Sequence, residues 1–395
     1  MRINSNYSVH KLKKDPYRIL LRLTGILAAL AVVCFVAYNL CNAAIGKDIQ
    51  AKRTEIDNLN EQAEIQYNTE LNERRNNAGG FSDPMNSGEE AEDLPVWERT
   101  LEGSTWRVED MGKKAVPENT RDVTLSRGDL LLGGMMLINP WHSVPSDYNY
   151  ETLVSVGSAS GYKIQVDDSS VRLFPAAYDA LSTMITDAET AGFDSYLVRE
   201  GYRSNDEQRE MFENKMAELS DDFSGDILMA QAKKEVNYPG TSEYETGFSF
   251  RMDLYKRGEN LGKFSESERG QWFIENSWKY GIIFRFPVED FPNSSWESKT
   301  YKTGISSRMN LFRYVGKPHA AVMRAMDYCL EEYVEFLMEH PYLRVYEDGA
   351  LRYEIYRIPC EDEYMTSFSL PMTNTAVGFQ ASFDNMGGIV LAYIY

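Results

Sequence analysis

An α+β body behind a single membrane-spanning helix is the architecture this sequence predicts, on three observations. Short β-type runs and helical-period stretches follow one another after residue 96 without a regular β-α-β rhythm. Leu23 to Gly46 form 24 consecutive residues without a charge. Residues 1–46 carry a net charge of +5, which leaves −24 on the rest of a 395-residue chain whose total is −19. A body that acidic repels phosphate backbones, so nucleic acid is not expected as a partner.

The N-terminal quarter divides by composition. Residues 1–22 are a basic tail with Arg2, Lys11, Lys13, Lys14, Arg18 and Arg22 against Asp15. Residues 23–46 reach about 36 Å as a helix, enough to cross the hydrocarbon core. The positive residues precede that run, which places the N-terminus in the cytoplasm and the main body on the extracytoplasmic side of the cell membrane. Ala43 and Ala44 leave cleavage as a signal peptide open, but the apolar run is long for one, and an uncleaved single-pass anchor is expected. Residues 47–77 contain neither Gly nor Pro and are strongly charged, which predicts a helical stalk. Residues 78–95 are rich in Gly, Pro, Ser and acid and predict a flexible linker.

Residues 96–340 form the main domain and 341–395 a C-terminal β extension of the same body. Val123–Leu125, Leu130–Leu132 and Met135–Ile138 have β character. Pro175–Ala191 has helical spacing, with Leu181, Met184 and Ile185 on one face. Phe193–Val198 predicts a strand. Asn205–Leu219 predicts a helix capped by Ser204, with Glu207 at the capping-box position. Phe248–Leu254 and Gly281–Phe286 predict strands on either side of a helix over Ser265–Tyr280. His319–His340 predicts one long amphipathic helix with Met323, Met326, Leu330, Tyr333 and Leu337 inward. Arg352–Ile358 and Gly388–Ile394 are β runs. Cys329 and Cys360 are the only cysteines beyond residue 46; their pairing is left open, and they make no metal-knuckle spacing.

Several segments in order carry a family resemblance. Gly128–Leu132, Asn139-Pro140 and Val144–Tyr148 come first, then Gly201-Tyr202-Arg203-Ser204 with Gln208. Pro239–Asp253 follows, then Trp272, Asn276, Trp278–Ile282 and Arg285-Phe286-Pro287. Thr303–Ile305, Arg313–Gly316 and His319-Ala320 complete the set. Over roughly residues 128–340 the chain resembles the VanY-type D-alanyl-D-alanine carboxypeptidases. That resemblance implies a small antiparallel sheet with helices packed around it, of the kind found in the VanY and hedgehog-like zinc peptidases.

The resemblance also implies a zinc site, and there the residues depart from it. The family's first motif is Pro-Gly-x-Ser-x-His-x-x-Gly-x-Ala-x-Asp, whose His and Asp bind zinc. This chain has Pro239, Gly240, Ser242 and Gly247 in place, but Tyr244 at the histidine position and Arg251 at the aspartate. In the second motif Arg308 stands at the general base and Leu311 at the third ligand. A catalytic zinc needs three N, O or S ligands and an open position for water. Leucine and arginine supply none, and no metal then lowers the water pKa from about 15.7 to about 7. Asp253 is displaced by two residues, about 7 Å along a strand, too far to substitute. His10, His142, His319 and His340 are scattered, so no cofactor is expected.

The implied substrate-contacting positions are present: Arg203, Gln208 and Ser242, flanked by Tyr202 and Ser204. Arg203 equally suits an ion pair with an acid, and Ser204 a cap alone. Arg251 and Arg308 either enter the old metal cavity, where guanidinium groups suit carboxylates, or turn away toward neighbouring acids. The expectation is a zinc-free family member that binds peptidoglycan stem peptide or a cell-envelope protein. An active metallocarboxypeptidase with an unusual site and a structural envelope protein are the alternatives.

Overall fold

The computed structural model describes residues 94–148 and 152–395. The expected tail, membrane helix and stalk, and the linker up to residue 93, lie outside the described residues. Among the described residues no helix is long and apolar enough to cross a membrane.

The chain enters as the hairpin β1 (Val96–Leu101) and β2 (Ser104–Asp110), followed by β3 (Thr120–Ser126) and the short helix Arg127–Leu131. Short strands β4 (Val154–Ser155), β5 (Gln165–Val166) and β6 (Arg172–Leu173) precede the helix Pro175–Thr190 and β7 (Tyr196–Glu200). Helices Asn205–Leu219 and Gly225–Glu235 lead to a 3₁₀ turn, Glu243–Thr246, and β8 (Ser249–Leu254). The helix Glu268–Asn276 joins it to β9 (Ile282–Phe284), and β10 (Leu311–Tyr314) follows. Helices Lys317–Met326 and Leu330–Glu339 then give way to β11 (Tyr342–Glu347), β12 (Ala350–Pro359), β13 (Ser367–Thr373), β14 (Gly378–Phe383) and β15 (Gly388–Ile394).

The class is α+β, with more sheet than the single small one expected. A five-stranded sheet has the order β5-β7-β8-β10-β9, antiparallel except for the parallel β5–β7 pair. A six-stranded antiparallel sheet has the order β1-β2-β11-β12-β15-β14, so the first described strands pair with the C-terminal ones. The five-stranded sheet packs on the helices Pro175–Thr190 and Glu268–Asn276 through Leu181, Met184, Phe250, Phe273 and Phe312. The six-stranded sheet buries Val108, Val345, Ile355 and Val390 against Val322, Leu330, Tyr333 and Leu337 on one side. On its other face Leu391 and Tyr393 meet Leu130, Phe368 and Leu370. Burial on both faces is why β15 is a continuous apolar run instead of an alternating one.

Four sequence expectations are corrected. Leu130–Leu132 does not form a strand: a capping box between Ser126 and Asp129 starts the helix Arg127–Leu131 instead. Met135–Ile138 is extended but pairs with no strand, because arginine side chains take its carbonyls, as described below. The helix expected over Ser265–Tyr280 is regular only from Glu268 to Asn276, with 3₁₀ turns Phe264–Glu266 and Ser277–Tyr280 at its ends. The helix expected from His319 to His340 is two helices. Asp327 turns left-handed at φ 60°, and Glu332 accepts the Cys329 N–H at 3.0 Å to start the second. The helix Gly225–Glu235 had no counterpart in the sequence expectations. It packs on Asn205–Leu219, where Phe212 meets Tyr238 edge-on. Cys329 and Cys360 are both free thiols.

Leu391 is fully buried in a strand covered on both sides. Its replacement by Ala should cost about 2–5 kcal/mol, read from the denaturation midpoint. Loss below about 1 kcal/mol would mean that the C-terminal strands are not part of the cooperative core.

Candidate functional site

The site is built on a buried carboxylate. Glu243 opens the 3₁₀ turn and is 2% exposed. Its Oε1 accepts from Arg285 Nε at 2.6 Å, and its Oε2 from Arg313 Nη1 at 2.6 Å and Ser249 Oγ at 2.7 Å. Arg285 reaches onward to Glu331 through both terminal nitrogens, at 2.9 and 2.8 Å. Its Nη2 also donates to Ile138 O, while Arg313 Nη2 donates to Gly134 O and Met136 O. Alternate carbonyls of the segment 134–138 thus cap two guanidinium groups. Two arginines and two glutamates cancel in charge, and the remaining donors find carbonyls, as a buried ionic group requires.

This clamp fixes the stretch that follows. Gly247 ends the turn at φ 72°, a conformation that a side chain would strain, and passes the chain into β8. Glu245 accepts from the N–H groups of Gly240 and Ser242 and from Asn205 Nδ2, which ties the turn to the helix Asn205–Leu219. Within β8 the side chains alternate: Phe250 and Met252 are buried, while Arg251 and Asp253 are partly exposed. The β8–β10 register sets Arg251 directly across from Leu311 and Phe250 across from Phe312, whose rings stack at 6.0 Å.

A cavity of about 190 Å³ lies over this register. Six positions singled out from the sequence line it: Arg203, Gln208, Ser242, Tyr244, Arg251 and Leu311. Glu200, Asn237, Phe286 and Met309 line it too and were not foreseen. Glu200 is the group that organises it: one oxygen takes Arg203 Nη2 and the other takes Arg251 Nη2 at 3.1 Å. The signal for it was an acid three residues before Arg203.

Arg203 is engaged through both terminal nitrogens. It also donates to Gln208 Oε1 at 2.7 Å and lies 4.7 Å above the Tyr244 ring. Gln208 spends its amide nitrogen on Asn237 O at 2.6 Å. Both side chains therefore position their neighbours. Arg251 is the open one: its side chain is 40% exposed, and Glu200 is its sole ion-pair partner among the described residues. The Tyr244 hydroxyl makes no hydrogen bond among the described residues, and burial, reinforced by Glu200, raises its pKa so that it stays a neutral phenol.

The remaining positions fall outside the cavity lining. Tyr202 borders a neighbouring depression, with the Arg172 guanidinium 5.5 Å from its ring. Ser204 closes a capping box with Glu207 at the start of the helix Asn205–Leu219. Arg308 is exposed and donates to Glu289 O, so it turns away from the cavity. Asp253 pairs with Arg199 at 3.1 Å. His142 bonds Asn139, His319 bonds Tyr333, and His340 pairs with Asp110. Burial lowers the His319 pKa to about 3, so it stays neutral.

The family model described as VanY, D-alanyl-D-alanine carboxypeptidase, matches residues 170–316, a span that holds every residue lining the cavity. A D-alanyl-D-alanine carboxypeptidase of Enterococcus faecium is 29% identical over 287 residues, covering 72% of this chain and 82% of its own. YodJ of Bacillus subtilis is 30% identical over 202 residues, 51% of this chain and 67% of its own. In fold the chain resembles the solved D,D-dipeptidase VanXYg (TM-score 0.54, 22% identity, 70% of this chain and 99% of that one). The class is thus an α+β peptidase-type domain with a cleft over its five-stranded sheet. The chain belongs to the VanY family of D-alanyl-D-alanine carboxypeptidases.

The resemblance implies a zinc site, and the donor set at the implied ligand positions does not fit zinc. A buried neutral phenol, an ion-paired guanidinium and an aliphatic side chain occupy the three ligand positions. Among the described residues no group of three His, Cys, Asp or Glu side chains is placed to hold a metal.

Burial alone would raise the Glu243 pKa, but the Arg313 and Arg285 guanidiniums outweigh it and hold it below 4.5. The native state therefore binds this proton less readily than the unfolded chain. The stability this contributes is complete above the unfolded value and fades as pH falls through the lower, folded one. Glu243→Gln leaves two buried arginines short of a counter-charge and should cost about 3–5 kcal/mol at neutral pH. Denaturation midpoints measured from pH 7 downward should show the gap between the wild type and the variant closing in acid.

Proposed function

We propose that this chain is a membrane-anchored, extracytoplasmic VanY-family protein that binds the carboxylate end of a peptide without hydrolysing it. The ligand is peptidoglycan stem peptide or a peptide segment of an envelope protein. The observation that carries this is the facing pair Arg251 and Leu311. Where the family's motif places two zinc ligands, an arginine and a leucine stand opposite each other in adjacent strands. Arg308 at the general-base position has turned outward. Water activation by metal and base has no group to perform it in this arrangement.

What remains suits recognition of an anion. Arg203 and Arg251 share one carboxylate, Glu200, which leaves one positive charge over. Arg251 keeps its Nε and Nη1 donors for a ligand carboxylate, and the Tyr244 hydroxyl adds a neutral donor on the same wall. Phe286, Met309 and Leu311 provide an apolar surface for a small side chain such as alanine's. The anchor is supported by the uncharged run Leu23–Gly46 and the basic residues before it.

Calorimetric titration of the full-length protein in detergent with a stem peptide ending in D-Ala-D-Ala tests this. The free-acid peptide should bind and its C-terminal amide should bind at least about tenfold more weakly, since a charge-assisted contact is lost. Arg251→Ala should erase the difference between the two peptides. Arg203→Ala should weaken both variants of the ligand by releasing Glu200. Equal binding of acid and amide would contradict carboxylate recognition. Release of D-Ala during incubation would show an active carboxypeptidase instead.

A further inference from the structure

A second cavity, of about 280 Å³, shares no lining residue with the first. It is bordered by β9, the helix Lys317–Met326 and the segment 287–299. Trp278, Phe284, Trp296, Met323 and Tyr328 give it an aromatic and apolar side, and the cations Arg99 and Arg324 stand on its polar side. Lys299 also borders it but is taken by Glu332 at 3.0 Å.

Arg324 is the anomaly. Its Nε is buried without a hydrogen-bond partner, and its guanidinium enters no ion pair among the described residues. Arg99 stands beside it and donates to the carbonyls of Arg324 and Ala325 at 3.3 and 3.4 Å. Those bonds satisfy carbonyls at the end of the helix Lys317–Met326 and engage Arg99 through Nη1. A cation in the last turn of that helix also meets a favourable dipole. Neither explanation reaches the Arg324 Nε, which faces burial and a like charge with no acceptor in reach. Burial, and then Arg99, lower the Arg324 pKa, and Asp327, Glu275 and Glu102 offset this from a distance without a hydrogen bond. A guanidinium at a cavity wall with no ion-pair partner among the described residues suits an anionic group from outside.

The geometry points to a ligand site here, distinct from the peptide cavity: we propose that it takes a small monocarboxylate with an apolar or aromatic body. The carboxylate meets the Arg324 guanidinium and the body lies among Trp278, Trp296 and Tyr328. Charge sets the limit to one negative group. The exposed acids Glu275, Glu297 and Asp327 border the same opening and repel a multiply charged anion such as a phosphate ester. The size is that of a single ring or a short side chain, at the lower end of small-molecule pockets.

Phenylacetate and its uncharged counterpart 2-phenylethanol are suitable probes, titrated into the full-length protein while tryptophan fluorescence reports on Trp278 and Trp296. Phenylacetate should change the signal saturably at millimolar concentrations. 2-Phenylethanol should bind at least about tenfold more weakly, the ratio expected for one charge-assisted hydrogen-bonded contact. Arg324→Met keeps the stem and the volume while removing the charge. It should abolish the preference between the two probes and leave the thermal midpoint unchanged or higher. Stem-peptide binding should be unaffected by that variant, so failure here and failure of the peptide site are separable. Absence of saturation by phenylacetate, equal binding of the two probes, stronger binding of phenyl phosphate, or a preference that survives Arg324→Met would each overturn the proposal.

Discussion

Everything in the peptide cavity hangs on one buried carboxylate, Glu243, held between Arg285 and Arg313. The network around it draws on six places in the chain: the segment 134–138, its own 3₁₀ turn, β8, the two arginine-bearing segments after β9 and within β10, and Glu331 on a late helix. No pair among them is close in sequence except Glu243 and Ser249. The network can form only when the two halves of the body are already in register, and removing any partner leaves an uncompensated charge. Such a network specifies an arrangement more than it stabilises one. Here it specifies where Ser242 and Tyr244 stand, because both flank Glu243 on the same turn.

Separation of this scaffold from the reacting positions explains how the fold accommodates Tyr244, Arg251 and Leu311. The clamp uses residues adjacent to the ligand positions but none of the ligand positions themselves. Leu311 is buried in a small apolar cluster with Tyr244, Phe286 and Ile305, so replacing a polar ligand by leucine adds hydrophobic contact. Arg251 finds Glu200, and Glu200 is in turn fixed by Arg203. On the proposed zinc-free reading, a charge-neutral pair plus one surplus guanidinium takes the place of a metal ion. The cavity keeps its positive character by a different chemistry.

Much of this was legible in the sequence because local signals and tertiary demands agree there. The Ser204–Glu207 capping box marked the start of the helix Asn205–Leu219. Alternation marked β8, and an unbroken apolar run marked β15. Legibility failed where long-range partners override local preference. Met135–Ile138 has strand composition, yet its carbonyls go to arginines some 150 to 180 positions away. The break at Asp327 hid inside a strong helical period, since only a left-handed residue and the Glu332 cap divide the two helices. Among site residues, Arg203 and Gln208 were found from their motif, and an ion pair was one of the two readings of Arg203, but its partner Glu200 was not named. A sequence shows that an arginine is present and not which acid consumes it. Glu200, Glu331 and the charge balance they set are visible only in the folded arrangement.

The central claim is that guanidinium chemistry has taken the place of metal chemistry in the VanY cleft of this chain. Metal content of the folded full-length protein, equilibrated with Zn²⁺, passed through a desalting column and measured by mass spectrometry, tests it most directly. The account predicts far less than one zinc per chain and no change on substituting Tyr244 or Arg251. One tightly retained zinc per chain, lost when a residue of this cavity is replaced, would contradict it.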